Sequence, residues 1–413
     1  MLDVIVTCAR ATAPAVGHEL TALGATDVVV GDAAVHCRGD WSLVARANMF
    51  LRCASRVLVR LAAHDGVVDE AAALDVLERI PFEEWLDGKG TFCIDSHTAG
   101  TQWGHSLFAS QRTKDVIVDR LRRLGRGRPT VDLQRPHVRF VLSWMREHLE
   151  LSVDTSGEPL HRRGYRDGVE GRAPMKETLA AALLATANAP VDRPFLDPCC
   201  GTGTLVIEQA WRALKRAPGR DRHFGFERWS SRAPELDRAV ALARTEARDT
   251  ELKVLPAPIH ASDWHREAID HVTTCVAAAG LTDHVQVERI DARSAPMPGE
   301  RPVVFSNLPF GERLGENRLQ LEGFYRTFGE RMREIDGGRV VLFSALPEAR
   351  WLLNLDEIAV GKPRFWKFNA GDLDAWLMRW DLPYSGYQPS ERTPKAPRAK
   401  TAASAGGGSA NAG

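Results

Sequence analysis

The segment Phe195-Leu-Asp-Pro-Cys-Cys-Gly-Thr-Gly-Thr204 restricts the folds open to this 413-residue chain more than any other stretch. Phe195-Leu196 ending in Asp197 reads as the carboxyl end of a buried strand. Gly201 and Gly203 supply a tight turn, and Leu205-Val-Ile-Glu-Gln-Ala210 reads as the helix that follows. Strand, glycine turn and helix in that order open a parallel α/β sheet, and the turn sets backbone N–H groups beside whatever lies at the strand end.

The glycine pattern alone leaves a dinucleotide phosphate and an amino-acid carboxylate both open. Asp197 favours the second, because an acid there accepts from an ammonium and would repel a pyrophosphate. The methionyl end of S-adenosylmethionine (SAM) fits, with Cys200, Gly201, Gly203 and Thr204 lining the same turn.

A second motif, Phe305-Ser-Asn-Leu-Pro-Phe-Gly311, follows a short apolar strand from Val303 to Phe305 and places Asn307 at its carboxyl end. There the Asn307 side-chain oxygen can accept one N–H of a planar amine and the Leu308 carbonyl the other. Pro309 stiffens the turn and Phe310 offers a stacking face for a base. Such a set needs no acid, base or metal, since alignment alone turns the amine lone pair toward a methyl donor. A plain Asn-X-Pro turn is the alternative for that segment taken alone.

Two further strands are predicted between the motifs. Pro258 to Asp263 ends in an acid for ribose hydroxyls, and Val285 to Ala292 carries Asp291 and Ala292 where an adenine would lie.

Taken with Leu160-His-Arg-Arg-Gly-Tyr-Arg166, Ala173-Pro-Met-Lys-Glu-Thr-Leu-Ala-Ala-Ala-Leu183 and Asn307-Leu-Pro-Phe-Gly-Glu-Arg-Leu314, the chain closely resembles the THUMP-containing class I RNA guanine-N2 methyltransferases, with the large-subunit (23S) ribosomal RNA branch the best match. The resemblance covers nearly all of residues 1–383. It implies an α/β fold in which a Rossmann-like class I methyltransferase sheet is preceded by an α+β THUMP RNA-binding region, with SAM as cofactor and N2-methylguanine in 23S ribosomal RNA as product. By position it implies that Asp197, Gly201, Gly203, Asp263 and Asp291 contact SAM and that Asn307 to Phe310 hold the guanine. The family's commonest motif is Asn-Pro-Pro-Tyr. Leu308 and Phe310 depart from it in a way that resembles some transfer-RNA relatives, so a tRNA guanine-N2 enzyme is the second reading. A non-catalytic RNA-binding assembly factor of the same fold is the third. Some relatives carry a further domain that makes 7-methylguanine. Residues after Leu382 hold no second glycine turn, and one activity is expected.

Formal net charge is zero, so an RNA-binding surface has to be local. Residues 111–140 hold nine Lys and Arg against three acids. Read as a helix, Thr113 to Leu124 buries Val116, Ile117, Leu121 and Leu124 and presents Lys114, Arg122 and Arg123 to RNA, with Arg112 just before it. Arg162, Arg163, Tyr165 and Arg166 precede the catalytic part and read either as an RNA guide or as an interdomain linker held by salt bridges.

Seven cysteines without a Cys-X-X-Cys pair predict neither a metal site nor a disulfide framework, and Cys199 and Cys200 read as packing residues of the turn. Residues 1–10 read as a strand and no apolar run reaches membrane-spanning length, so a cytoplasmic location is expected. The predicted units are a ferredoxin-like α+β subdomain over 1–65 with Trp41 to Arg56 as a helix, the THUMP body over 66–153, the methyltransferase domain over 154–383 and a disordered basic tail over 384–413. The arginine-rich stretch from Trp211 to Leu255 is predicted to be a helical excursion that is solvated or touches RNA.

Overall fold

The computed structural model describes residues 1–169, 175–230, 232–310, 318–370 and 373–385. Ala173 and Pro174, Gly311 to Leu314 and the tail from 386 onward therefore lie outside the described residues.

The amino-terminal half is one eight-stranded sheet. Its strands are β1 (Leu2–Thr7), β2 (Thr26–Val30), β3 (Ala34–Gly39), β4 (Arg56–His64), β5 (Thr91–Ala99), β6 (Thr130–Val131), β7 (Val138–Met145) and β8 (His148–Asp154), in the order β2-β3-β1-β4-β8-β7-β5-β6. Helices α1 (Ala13–Ala22), α2 (Trp41–Phe50), α3 (Glu70–Glu78) and α4 (Ser106–Arg123) pack on it. The sequence reading divides this half at residue 65, but the antiparallel pairing of β4 with β8, from Leu58 opposite Asp154 to His64 opposite Leu149, joins the two parts into one sheet.

Helix α2 stops six residues short of the predicted Arg56. Leu51 turns to an extended backbone, and the carboxylate of Glu19 accepts from the N–H groups of Arg52 and Cys53 at 3.1–3.2 Å. Those donors are thereby withdrawn from a helical ladder, a competition that propensity does not register.

The carboxyl-terminal half comprises α5 (Glu177–Thr186), β9 (Phe195–Asp197), α6 (Thr204–Ala213), α7 (Pro234–Asp249), β10 (Ile259–Ser262), α8 (Arg266–Ala278), β11 (Val285–Glu288), β12 (Val303–Asn307), α9 (Arg318–Arg333), β13 (Gly338–Ser344), α10 (Ala349–Leu353), β14 (Arg364–Ala370) and β15 (Leu373–Leu382). The sheet runs β11-β10-β9-β12-β13-β15-β14, parallel except for β15, which is antiparallel to both β13 and β14. Strands are added outward from β9 through β10 to β11, and then from β12 outward on the other side. The order thus reverses between β9 and β12, the place where open α/β sheets bind ligands beyond their carboxyl ends.

The stretch from Trp211 to Leu255 is not merely a solvated excursion, because one face of it is buried. Helix α7 begins with Pro234 in its first turn, followed by Glu235 and Asp237, and it buries Leu236, Ala239, Ala243 and Ala247 at helical spacing. Those side chains, with Phe224, Phe226 and Trp229, belong to the core of the amino-terminal half. Trp229 stands edge-on to Trp85 at 5.3 Å and to Trp41 at 6.5 Å, and the Arg46 guanidinium holds Glu246 at 2.9–3.0 Å. Gly219 passes so close to Asn48 and Met49 that a Cβ would lie 2.6 Å from a backbone oxygen. The excursion clamps the two halves together.

Candidate functional site

Both motifs meet at the switch point. Gly201 and Gly203 take the left-handed backbone at φ +54° and +77°. A Cβ on Gly203 would stand 2.5 Å from Val272 Cγ2, so this glycine lets α6 start against α8. A Cβ on Gly201 would meet nothing within 4 Å, so the space above this turn is open. Cys200 donates its N–H to the Ser262 carbonyl at 3.0 Å, and Gly201 donates to Asp263 Oδ2 at 3.0 Å. The turn is therefore tied to the end of β10. Thr204 is the buried first residue of α6.

Asp197 is buried at the end of β9. It accepts from Ser306 Oγ at 2.6 Å and from the Cys199 N–H at 3.2 Å, both on Oδ1, while Oδ2 carries neither bond. Burial pushes its carboxyl up from 3.8 to about 7, opposed by the Ser306 and Cys199 hydrogen bonds and reinforced by the negative charge of Asp263. A buried acid held this way is short of a cation, and an ammonium at Oδ2 would supply one.

Asp263 is also buried, and both of its oxygens already accept backbone N–H groups, from Gly201 and from His265 at 2.9 Å. Its first role is to hold the turn, and only its remaining lone pairs are left for ribose hydroxyls. Asp291 lies three residues past β11 and is bound by Arg293, whose Nε donates to Oδ1 at 2.9 Å and holds the carboxyl below the usual range. Its charge adds the smallest of several contributions that raise the Cys199 thiol, after burial, Asp197 and Asp263. Ala292, Leu308 and Cys199 share one apolar cluster. Burial and the neighbouring Asp197 and Asp263 hold both the Cys199 and Cys200 thiols well above the ordinary cysteine value, which leaves neither as a nucleophile at neutral pH.

Asn307 is the last residue of β12, and its Oδ1 is buried with no hydrogen-bond partner among the described residues. An orphaned buried amide oxygen costs about 1–3 kcal/mol, and at a ligand face it marks an acceptor waiting for a donor. Leu308 is fully buried and donates its N–H to the Phe343 carbonyl at 3.0 Å, which anchors the turn to β13. Pro309 and Phe310 are half-buried.

Three positioning side chains escaped the sequence reading. Ser306 links Asn307's strand to Asp197. The Tyr325 hydroxyl, buried on α9, donates to the Pro309 carbonyl at 2.9 Å and stands 2.6 Å from Ser344 Oγ. Trp264, 60% exposed beside Asp263, presents a flat apolar face at the sheet edge with the Arg289 guanidinium 5.9 Å from its ring. The first and last adjoin motif residues and could have been flagged as neighbours. Tyr325 lies 16 residues from Pro309 and carries no sequence signal.

The RNA-facing expectations divide. On α4, Val116, Ile117 and Leu121 are buried as predicted, but Leu124 lies past the helix end and is exposed. Arg112 pairs with Glu70 and Lys114 with Asp115, so neither presents an unpaired charge. Arg122 and Arg123 are exposed and without an ion pair among the described residues, and Arg126, Arg128 and Arg135 share that condition.

Arg163, Tyr165 and Arg166 are corrected from RNA guide to interdomain linker. The Arg163 side chain is 1% exposed, faces Glu208 at 3.5 Å and donates to the carbonyls of Leu160 and Arg52. Tyr165 is buried edge-on against Trp211 with its hydroxyl toward Glu208, and Arg166 pairs with Glu177 at 2.7 Å. Arg162 is exposed and paired with Glu158. Cations in a short loop between two cores are drawn into the carboxylates that those cores bury.

An eight-stranded α+β module joined to a class I methyltransferase sheet, with its motifs at the switch point, defines a THUMP-bearing methyltransferase fold. Comparison with known families agrees: residues 3–58 match the RlmL ferredoxin-like domain, 70–154 the THUMP domain and 163–362 the RMKL-like methyltransferase domain. The chain therefore carries a THUMP domain followed by an RMKL-like methyltransferase domain.

The chain is 34% identical over 387 residues to the ribosomal RNA large subunit methyltransferase K/L of Syntrophotalea carbinolica, covering 91% of this chain and 53% of that protein. It is 37% identical to the protein of the same name from Magnetococcus marinus over 78% of this chain and 45% of that one. The chain thus spans about half the length of the curated relatives it matches. Among solved structures, the predicted N6-adenine-specific DNA methylase of Listeria monocytogenes superposes with a TM-score of 0.80 at 29% identity, covering 92% of this chain and 96% of that one.

No described helix is long and apolar enough to cross a membrane, and no group of three or more His, Cys, Asp or Glu among the described residues is placed to hold a metal.

Proposed function

We propose that this chain is a SAM-dependent methyltransferase that methylates the exocyclic N2 amine of a guanine in 23S ribosomal RNA, acting in the cytoplasm. The observation that carries the reading is the orphaned Oδ1 of Asn307 at the switch point, one residue from the Ser306–Asp197 link. The names of the curated relatives support ribosomal RNA as substrate.

The residues present suit the cofactor. Asp197 offers an acid short of a cation, the Gly201 turn leaves space for a ligand, and Asp263, Asp291 and Ala292 border it with Cys200, Gly203 and Thr204. When bound, SAM supplies an electrophilic methyl group. Asn307 Oδ1 and the Leu308 carbonyl accept the two N–H groups of the amine, Pro309 and Tyr325 fix the turn, and Phe310 stacks on the flipped base. Losing a proton as the methyl arrives needs no strong base, because a methylated exocyclic amine is acidic enough to release it to water. Arg122 and Arg123 on the THUMP part attract the RNA backbone. Residues 1–65 and 66–153, which share one sheet, form the RNA-binding half, and residues 154–383 carry out catalysis.

The test is methyl transfer from labelled SAM to undermethylated total RNA, followed by separation of large ribosomal RNA from tRNA and nucleoside analysis. N2-methylguanosine in the large ribosomal RNA is expected. The same nucleoside in tRNA would move the substrate, N6-methyladenosine would overturn the base assignment, and an unlabelled product despite bound SAM would favour the non-catalytic reading.

A further inference from the structure

A cleft of about 500 Å³ lies far from the reaction centre. Leu214 just past the end of α6, Leu252 after α7 and His284 just before β11 line it. Because α6 runs back from the carboxyl edge of the parallel sheet and β11 starts at the amino edge, the cleft sits on the opposite edge from Asp197 and Asn307.

The lining holds Arg216, Arg220, Arg244, Arg248 and Lys253 against only Asp221 and Glu251. Glu251 is shared, accepting from Arg216 Nε at 2.8 Å and pairing with Arg220 as well. Glu227, from outside the lining, holds Arg244 at 2.6 Å, and the Arg244 guanidinium also lies 5.7 Å from the Phe224 ring. Arg216, Arg220 and Arg244 are therefore fixed in place before any ligand arrives. Arg248, one turn along α7 from Arg244, and Lys253 have no ion pair among the described residues. Even with Glu227 counted, positive charge is in excess.

We infer that this cleft is a second RNA-binding site, one that holds backbone phosphates of the substrate at a distance from the target base. The inference rests on RNA as substrate. The chemistry is that of phosphodiester recognition: pre-positioned guanidinium groups with fixed donors, an ammonium on a flexible stem, and a lining without Phe, Tyr or Trp on which a base would stack. Such a site attracts RNA irrespective of sequence, and its strength depends on salt. It places α7 in two roles, its apolar face closing the amino-terminal core and its basic face meeting the substrate.

The experiment is RNA binding by the full chain and by an R248A/K253A variant over a salt series, beside an R122A/R123A variant. Arg248 and Lys253 are surface residues free of ion pairs among the described residues, and the melting temperature should not move. At about 0.1 M salt the variant should bind RNA roughly tenfold more weakly, with the slope of log affinity against log salt shallower by about 1.4–1.8 for the two cations removed, while SAM affinity and kcat at saturating RNA stay unchanged. Unchanged RNA affinity and slope in R248A/K253A, with R122A/R123A weakened, would overturn the cleft while leaving the function standing. Failure of the unaltered chain to bind RNA would overturn both. If inorganic phosphate raises the melting temperature of the unaltered chain but not of the variant while RNA affinity is equal in both, the cleft serves a free phosphate and the RNA assignment is wrong.

Discussion

Replacing Asp197 with Asn should make the ligand-free protein more stable and the cofactor complex weaker. The Asp197 carboxyl is raised from 3.8 to about 7 chiefly by burial. A carboxyl whose folded-state value is raised contributes stability that is full below 3.8 and lost as pH climbs to 7. At about 1.4 kcal/mol per pH unit, the ionised carboxylate costs the ligand-free fold on the order of 4 kcal/mol above pH 7. Asn keeps an oxygen to accept from Cys199 N–H and Ser306 Oγ, so the turn retains its bonds. Urea unfolding of both proteins at pH 5.5 and pH 8 should show a stability advantage for D197N that is about 2 kcal/mol larger at pH 8. Calorimetry should show SAM binding weakened by about 10–100-fold in D197N, the worth of one charge-assisted hydrogen bond. In the unaltered protein SAM affinity should fall as pH drops below 7, because the carboxyl must lose its proton to meet an ammonium. An advantage of D197N that is the same at both pH values, or SAM affinity equal to that of the unaltered chain, would refute the argument.

Asn307→Ala should lower kcat by at least about 100-fold in a methyl-transfer assay with little change in SAM affinity by calorimetry, since one amine acceptor is lost and the glycine turn is untouched. Tyr325→Phe deletes the donor to the Pro309 carbonyl and should reduce kcat more than it raises the RNA KM. Arg163→Ala should destabilise the fold by about 3–5 kcal/mol in denaturant unfolding, because Glu208 is left buried without its partner. Gly203→Ala should lower both the melting temperature and SAM affinity, since its Cβ would strike Val272 in a left-handed backbone.

The two motifs were legible because each depends on residue types that few other contexts demand: glycines at positive φ beside a strand-end acid, and an Asn-X-Pro turn at a strand end. The catalytic sheet could be read from its apolar runs from β9 to β13 and again at β15. Strand β14, from Arg364 to Ala370, was hidden because Arg364 and Lys367 break its apolar pattern on an edge strand. The fate of the cations was illegible. Arg122 and Arg163 look alike in sequence, yet one is solvated and the other lies between two cores, since the carboxylate that captures Arg163 is 45 residues away on α6. The basic, arginine-rich composition of 211–255 likewise concealed the spaced small residues that α7 buries. Only the surface on which Leu236, Ala239, Ala243 and Ala247 land gives that spacing its meaning.

Because α7 and Trp229 complete a core whose strands end at Asp154, the amino-terminal half is not finished when its own sequence is finished. During synthesis that half must wait with an uncovered apolar face until residue 247 has left the ribosome, a delay of roughly 5–20 s at about 5–20 residues per second. A fragment cut at residue 154 would keep all eight strands and still lack a wall of its interior. It should aggregate, whereas a chain that extends through Asp249 should have what it needs to close.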